Sequence, residues 1–129
     1  MRRLSRLFSD RTGTAAVEFA LVLPMFLTLL IGGFFCAFML FTAGGLHYAV
    51  ERAARCYKVQ TSVCSSAATT QTYAMTQFSG YGVTPTFTAT DETTTGSLCG
   101  KKVTGTARFE MNIFVRRITV PLSAQACYP

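Results

Sequence analysis

The most conspicuous ionisable side chain in this 129-residue sequence is Glu18, which stands directly before a long apolar run. No Asp, Glu, Lys or Arg occurs between Glu18 and Glu51, and nearly every side chain from Phe19 to Phe41 is apolar or small. A carboxylate that enters a bilayer costs free energy unless it has a partner. Glu18 is therefore a candidate for charge pairing with an ammonium group of its own chain or of a neighbouring subunit.

The five cysteines are the second set of residues with chemistry of their own. Cys36 lies inside the apolar run and is expected to be a small apolar residue there. The other four, in a short exported module, indicate two disulfides formed in an oxidising compartment. Three pairings are possible; we favour Cys56 with Cys64, which flank one short loop, and Cys99 with Cys127, which would pin the last strand near the start of the middle one. The spacing lacks the close CxxC pairs of a zinc site.

Enzymatic chemistry is disfavoured by the remaining ionisable residues. His47 is the only histidine, so no His-dependent triad or metal centre is easily built. Asp91 and Glu92 lack the alternating oxygen ligands of a calcium loop, and Asp91–Gly100 is interpreted as a solvated loop. The other acids beyond the apolar run, Glu51 and Glu110, are expected on a helix face and a strand face. We expect a protein that is not an enzyme, with no cofactor and no small-molecule substrate.

The apolar run is long enough to cross a membrane as a helix. About 20 apolar residues suffice, whereas the core of an ordinary signal peptide has about 7 to 15. Four arginines precede the run and the next cation is Arg52, so the positive-inside rule predicts a cytoplasmic N-terminus and an exported remainder from about Ala43 onward. Without residues 1–13 the net charge of +6 would fall to +3, so the basic charge indicates targeting rather than nucleic-acid binding.

Two features would soften the spanning helix. Pro24 cannot donate a hydrogen bond to the Ala20 carbonyl, and its ring crowds that turn. A kink or a locally melted turn is expected between Ala20 and Pro24, and Gly32-Gly33 adds a second soft point. Such residues are also common in membrane helices without further meaning.

Beyond Gly44-Gly45, which we interpret as the membrane exit, hydrophobic periodicity predicts a small α+β module. Residues with helical spacing continue the first helix and predict one buried and one solvated face: Leu46, Ala49, Val50, Ala53 and Tyr57 against His47, Glu51, Arg55 and Lys58. Ser65–Phe78 is predicted to be a short second helix with Ala68, Thr72, Met75 and Phe78 along one side. Alternation with period two over 83–90, 103–111 and 118–126 predicts about three antiparallel strands.

The sequence from about Gly13 to Arg55, under half of the chain, resembles the TadE-like pseudopilins, minor prepilins of the Tad (tight adherence) subclass of type IV pili. The pattern is Gly13, four small or apolar residues, Glu18-Phe19, an apolar run and Pro24, and it continues to the Ala-Ala-Arg that ends at Arg55. TadE and TadF share these features, so the resemblance does not distinguish them.

The resemblance implies three regions and a role in filament assembly. Residues 1–13 would be a cytoplasmic basic leader, 14–45 a single-pass helix in the bacterial inner membrane, and 46–129 a disulfide-stapled periplasmic or extracellular module. A prepilin peptidase would cut between Gly13 and Thr14, and Glu18 and Phe19 would act in subunit assembly. The expected partners are that peptidase, other Tad minor pilins, the Flp pilin, the inner-membrane assembly platform and membrane lipid, and the expected role is in pilus biogenesis, adherence and surface attachment.

A second interpretation stays open from the sequence. The chain could be a signal-anchored periplasmic binding module with no filament role, which would keep residues 1–13. A secreted form cut near Thr42-Ala43-Gly44 is also compatible with the residues there.

Overall fold

The structure is a computed structural model that describes residues 13–92, 98–113 and 116–129. The basic leader before Gly13 and the middle of the loop between Asp91 and Gly100 lie outside the described residues. The described elements are helix α1 (Thr14–Val59), helix α2 (Ala67–Gln77) and strands β1 (Thr86–Asp91), β2 (Lys101–Ile113) and β3 (Arg116–Tyr128). The predicted α+β class, with a long apolar helix, a short helix and a three-stranded antiparallel sheet, is confirmed.

The chain divides into two compact units between Ala37 and Phe38. The first contains the apolar N-terminal stretch of α1, and the second contains the rest of α1, α2 and the sheet. The division predicted at residues 45 and 46 concerns the membrane surface, and it stays a prediction.

The described part of the first unit, residues 13–37, is almost entirely helical, and its side chains are almost all exposed. Its most apolar 18-residue window has a mean hydropathy of 2.3 and no buried residue, so α1 is long and apolar enough to be a candidate membrane span. Residues 14–59 are helical throughout, so the melted turn expected near Pro24 is not observed, while a kink there stays a prediction. The Thr28 hydroxyl donates to the carbonyls of Pro24 (3.0 Å) and Met25 (2.8 Å), which satisfies a polar group that lipid could not.

The second unit has a core between the last part of α1 and one face of the sheet. The predicted buried face of the helix is confirmed: Leu46, Ala49, Val50 and Ala53 are at most 1% exposed, and Tyr57 packs against their cluster. The sheet supplies Phe87, Ala89, Val103, Ala107 and Ala124 to the same cluster. A Cβ on Gly105 would lie within 3.0 Å of Phe87, Val50 and Leu46, so only glycine lets the helix approach the centre of the sheet this closely.

The sheet has the order β1-β2-β3 with both pairs antiparallel. β1 pairs with the first half of β2, from Thr86 opposite Thr106 to Asp91 opposite Lys101. β2 and β3 pair along their whole length, which makes a long hairpin. The first strand was predicted from Val83 but begins at Thr86, because Pro85 has no N–H to donate to a neighbouring strand.

Helix α2 buries a different side from the one predicted. Ser66 caps its N-terminus: the Ser66 hydroxyl accepts from the Thr69 N–H, and the Thr69 hydroxyl accepts from the Ser66 N–H. Thr70 and Ala74 are fully buried, whereas Ala68, Thr72 and Met75 are exposed, so the predicted face was wrong except for the half-buried Phe78. Ala74 belongs to the core cluster, and the hydroxyl of the buried Thr70 is satisfied because it donates to the Ser66 carbonyl at 2.8 Å.

Candidate assembly segment and outer module

The segment predicted to act in processing and assembly lies at the start of α1. Gly13 immediately precedes the helix and Thr14 is its first residue. Thr14 and Glu18 are four residues apart, so both lie on one side of the helix, one turn from each other. Glu18 and Phe19 are exposed, Phe19 by 64%. This arrangement would bring an ammonium at a newly formed Thr14 terminus within one helical turn of the Glu18 carboxylate.

The apolar surface that follows is nearly continuous. Leu21, Met25 and Leu29 are each more than 70% exposed. Exposed apolar surface of this extent marks a membrane-facing or helix-packing surface. Pro24 lies within it, and the Ala20 carbonyl loses its usual α-helical donor because proline has no N–H. Chemically, the segment offers one carboxylate and a long apolar stripe, and both suit lateral contact with lipid and with other helices.

The four cysteines of the outer unit form two disulfides in the structure. Cys56 joins Cys64 and Cys99 joins Cys127, with Cα–Cα distances of 5.7 and 5.1 Å. These are the pairs favoured from the sequence. The first closes the turn between α1 and α2, where the N–H groups of Gln60 and Cys64 donate to the carbonyls of Cys56 and Gln60. The second ties the end of β3 to the residues before β2. Cys36 is unpaired and exposed on the apolar stretch.

A cluster of charges at the start of β2 was not predicted from the sequence. Lys101 is hydrogen-bonded to Asp91, and Lys102 Nζ lies 3.4 Å from Glu92 Oε1. Lys101 also lies 4.4 Å from the centre of the Tyr57 ring, which joins the sheet to the end of α1. The hydrogen bond that the Lys101 ammonium donates to the Asp91 carboxylate holds the pKa of Lys101 above its ordinary value of about 10.5. The sequence did contain a signal for this cluster, because the acids Asp91-Glu92 end one alternating stretch and Lys101-Lys102 precede the next.

The potential metal-ligating side chains of the described residues are dispersed. Within residues 13–92, 98–113 and 116–129, no group of three or more His, Cys, Asp or Glu residues is placed to hold a metal ion. His47 is exposed on the solvated face of α1, as expected from its position. The predicted site residues thus fall into two groups, residues 13–24 in the first unit and the four disulfide cysteines in the second.

Comparison with known proteins identifies the class of the N-terminal segment. Residues 13–55 match the family model described as TadE-like protein. The match begins at Gly13 and ends at Arg55, so the resemblance seen in the sequence is confirmed, and this third of the chain is TadE-like. The family consists of Tad pilus-associated proteins. No curated protein and no solved structure matches the chain.

Proposed function

We propose that the protein is a minor pseudopilin of a Tad (Flp-type) pilus assembly system. The observation that carries the proposal is the TadE-like match over residues 13–55, which begins at the glycine where processing would occur. In this proposal a prepilin peptidase cuts between Gly13 and Thr14. The mature chain then works with other Tad minor pilins, the Flp pilin and the assembly platform in pilus biogenesis, adherence and surface attachment.

The geometry at the start of α1 supports a role for Glu18 in orienting the subunit. A carboxylate at the membrane edge needs a cation, and the ammonium of a processed Thr14, from the same or a neighbouring chain, supplies one. The exposed Phe19 and the apolar stripe beyond it then pack against other helices. In lipid such packing depends on close van der Waals contact. The pairing of the Glu18 carboxylate with this ammonium would therefore set how far an incoming subunit's helix moves along its neighbours.

Two features support the proposed orientation of α1 in the membrane. Arginines precede the apolar run, and the two disulfides lie beyond it, in the outer unit. The proposal places the N-terminus in the cytoplasm and the outer module in the periplasm, from which it could enter an extracellular pilus. An oxidising periplasm is the compartment in which such disulfides persist.

The experiment is a comparison of Glu18→Ala with Glu51→Ala, the same change at an exposed glutamate in the outer part of the same helix. Co-purification with tagged Flp pilin and minor pilins, together with the yield of surface pili, is measured in cells that carry the Tad system. We expect Glu18→Ala to abolish both, Glu18→Asp to retain part, and Glu51→Ala to retain most. A plain signal-anchored module would tolerate Glu18→Ala, since losing the charge favours insertion; normal assembly in that variant would contradict the proposal.

A further inference from the structure

A small cavity lies between the last turns of α1 and helix α2, within the outer unit. Its volume is about 220 Å³. Cavities that enclose small-molecule ligands are larger, about 300 to 1,000 Å³, and are mainly apolar. This cavity therefore suits one polar group, carried by a larger partner, better than a whole small molecule. The residues that line it are Arg52, Arg55, Cys56, Val59, Gln60 and Tyr73.

Four of the lining side chains carry hydrogen-bond donors. The two guanidinium groups only donate, and the Gln60 amide and the Tyr73 hydroxyl are able to donate as well. Within the part of the chain that the structure describes, none of these four head groups forms a hydrogen bond to the protein, and no ion pair within 4.0 Å involves either arginine. Arg52 does contact the Tyr48 ring, 5.2 Å from its centroid, but an aromatic face leaves the N–H donors without an acceptor.

The cavity with these four donors, which we call the donor cavity, has walls held by a disulfide and by the core. Cys56 lines it and is bonded to Cys64, which closes the turn after α1. In that turn the Gln60 N–H donates to the Cys56 carbonyl at 2.9 Å, and the Gln60 carbonyl accepts from the Cys64 N–H at 2.9 Å. Tyr73, on α2, packs against the core cluster. The donors therefore project from an ordered backbone, which lowers the entropic cost of binding.

The charges around the donor cavity favour an anion. Arg52, Arg55 and Lys58 follow one another at three-residue spacing along the end of α1, and all are exposed. Glu51, on the same helix, does not line the cavity and forms no ion pair with Arg55 within 4.0 Å. The other acids of the outer unit each lie beside a lysine or arginine of the sheet: Asp91, Glu92 and Glu110.

A carboxylate matches this set of donors. The planar guanidinium group binds both oxygens of a carboxylate through parallel N–H bonds, and such charge-assisted hydrogen bonds are stronger than neutral ones. The described acids of this unit are placed elsewhere, so the matching carboxylate has to come from outside it.

We propose that the donor cavity binds the carboxylate of a glutamate or aspartate side chain on a partner protein. The carboxylate accepts hydrogen bonds from the guanidinium groups of Arg52 and Arg55, and the Gln60 amide and Tyr73 hydroxyl donate to the same group. The proposal concerns the outer unit alone, so it does not depend on cleavage at Gly13, on a membrane or on a pilus.

The test is an NMR titration of the full-length, isotope-labelled protein in micelles of an uncharged detergent, in which the arginine side-chain N–H signals report contact with an added anion. The probe is a short peptide, capped at both ends, whose only charged residue is a central glutamate. A peptide with glutamine in its place is the control. We expect the glutamate peptide to shift the Arg52 and Arg55 signals with a dissociation constant in the millimolar range, and the glutamine peptide to shift neither.

Variants separate a built site from general attraction to positive charge. Arg55→Gln should weaken binding of the glutamate peptide about tenfold, because it removes a charged donor. Arg55→Lys keeps the charge but loses the planar fork, so it should restore only part of the affinity. Arg116→Gln removes an equal charge from an exposed position of the sheet, and it should leave the affinity unchanged.

Four results would overturn the proposal. Equal binding of the two peptides would show that no carboxylate is recognised. Equal weakening by Arg55→Gln and Arg116→Gln would show that net charge alone attracts the peptide. Tighter binding of inorganic phosphate than of the glutamate peptide would make the cavity a phosphate site. Binding of acetate without binding of the peptide would show that the cavity admits only a free carboxylate.

Discussion

The two stretches of α1 share one helix but differ in what surrounds their side chains. Before Phe38 the apolar side chains are exposed, Leu29 by 76%, whereas Leu46 in the second stretch is 1% exposed. Both are leucines on a regular helix, so helical geometry does not decide their burial. The sheet covers the second stretch, and we propose that a membrane or other helices cover the first. The comparison shows that one stretch of α1 is buried by the fold and that the apolar side chains of the other are left exposed by it.

The composition of the two stretches follows this difference. The first has apolar residues, many of them large, on every side of the helix, which is typical of a helix that faces lipid. The second presents a narrow buried stripe in which Ala49 and Ala53 let the sheet come close, with Gly105 opposite. Charged residues such as Glu51 and Arg55 occupy its solvated side. Loss of a leucine should therefore matter differently in the two stretches.

The largest expected effect separates Leu46→Ala from Leu29→Ala. Leu46 is fully buried, so its truncation should lower the free energy of unfolding of the outer module by about 2 to 5 kcal/mol. Leu29 is 76% exposed, and its truncation should leave that free energy unchanged. Chemical denaturation of the full-length protein in micelles, followed by a probe in the sheet, measures both. Equal effects would refute the distinction between the two stretches.

The disulfides should stabilise only the outer module, and to different extents. Removal of Cys99–Cys127 should cost about 3.6 kcal/mol and removal of Cys56–Cys64 about 2.5 kcal/mol, because the closed loops differ in length. Their sequence separations are 28 and 8 residues. Paired Cys→Ala variants are compared by denaturation under non-reducing conditions, with carbonate extraction as the measure of membrane insertion. A larger loss from the shorter loop, or a loss of insertion, would contradict this account.

The smallest effect concerns the contact of Lys101 with Asp91. The folded-state pKa of Lys101 is raised above 10.5, so its contribution to stability is complete below that pH and is lost as the pH rises through the folded pKa. The pair is partly exposed, so we expect less than about 1 kcal/mol, weakened by salt. Lys101→Met should remove this part of the alkaline loss of stability, whereas Lys102→Met should retain it. An identical alkaline profile in wild type and Lys101→Met would contradict the assignment.

The elements with strong periodicity could be predicted from the sequence. The alternation of Val103, Gly105, Ala107 and Phe109 matches the buried face of β2, and the buried helix face from Leu46 to Ala53 was predicted residue by residue. These patterns are reliable here because one face of each element packs against a single core. The start of β1 was missed because the alternation ran through Pro85, although proline cannot extend a ladder.

The features that could not be predicted from the sequence are those that depend on tertiary packing. Helix α2 has alanines and threonines on more than one side, so its weak pattern did not reveal that Thr70 and Ala74 face the core. The candidate assembly residues were found from a motif, since Glu18 is exposed and its burial gives no signal. Periodicity predicts which side is buried, but not which element covers it.

The most direct test of the central claim is the mass of the mature N-terminus. The full-length protein is expressed with and without its prepilin peptidase, and the terminal peptide is measured by mass spectrometry. The proposed function predicts a terminus at Thr14 that depends on the peptidase, with an uncut chain when Gly13 is replaced by a bulky residue. An N-terminus that still carries residues 1–13 in the presence of active peptidase would contradict it and would leave a signal-anchored module.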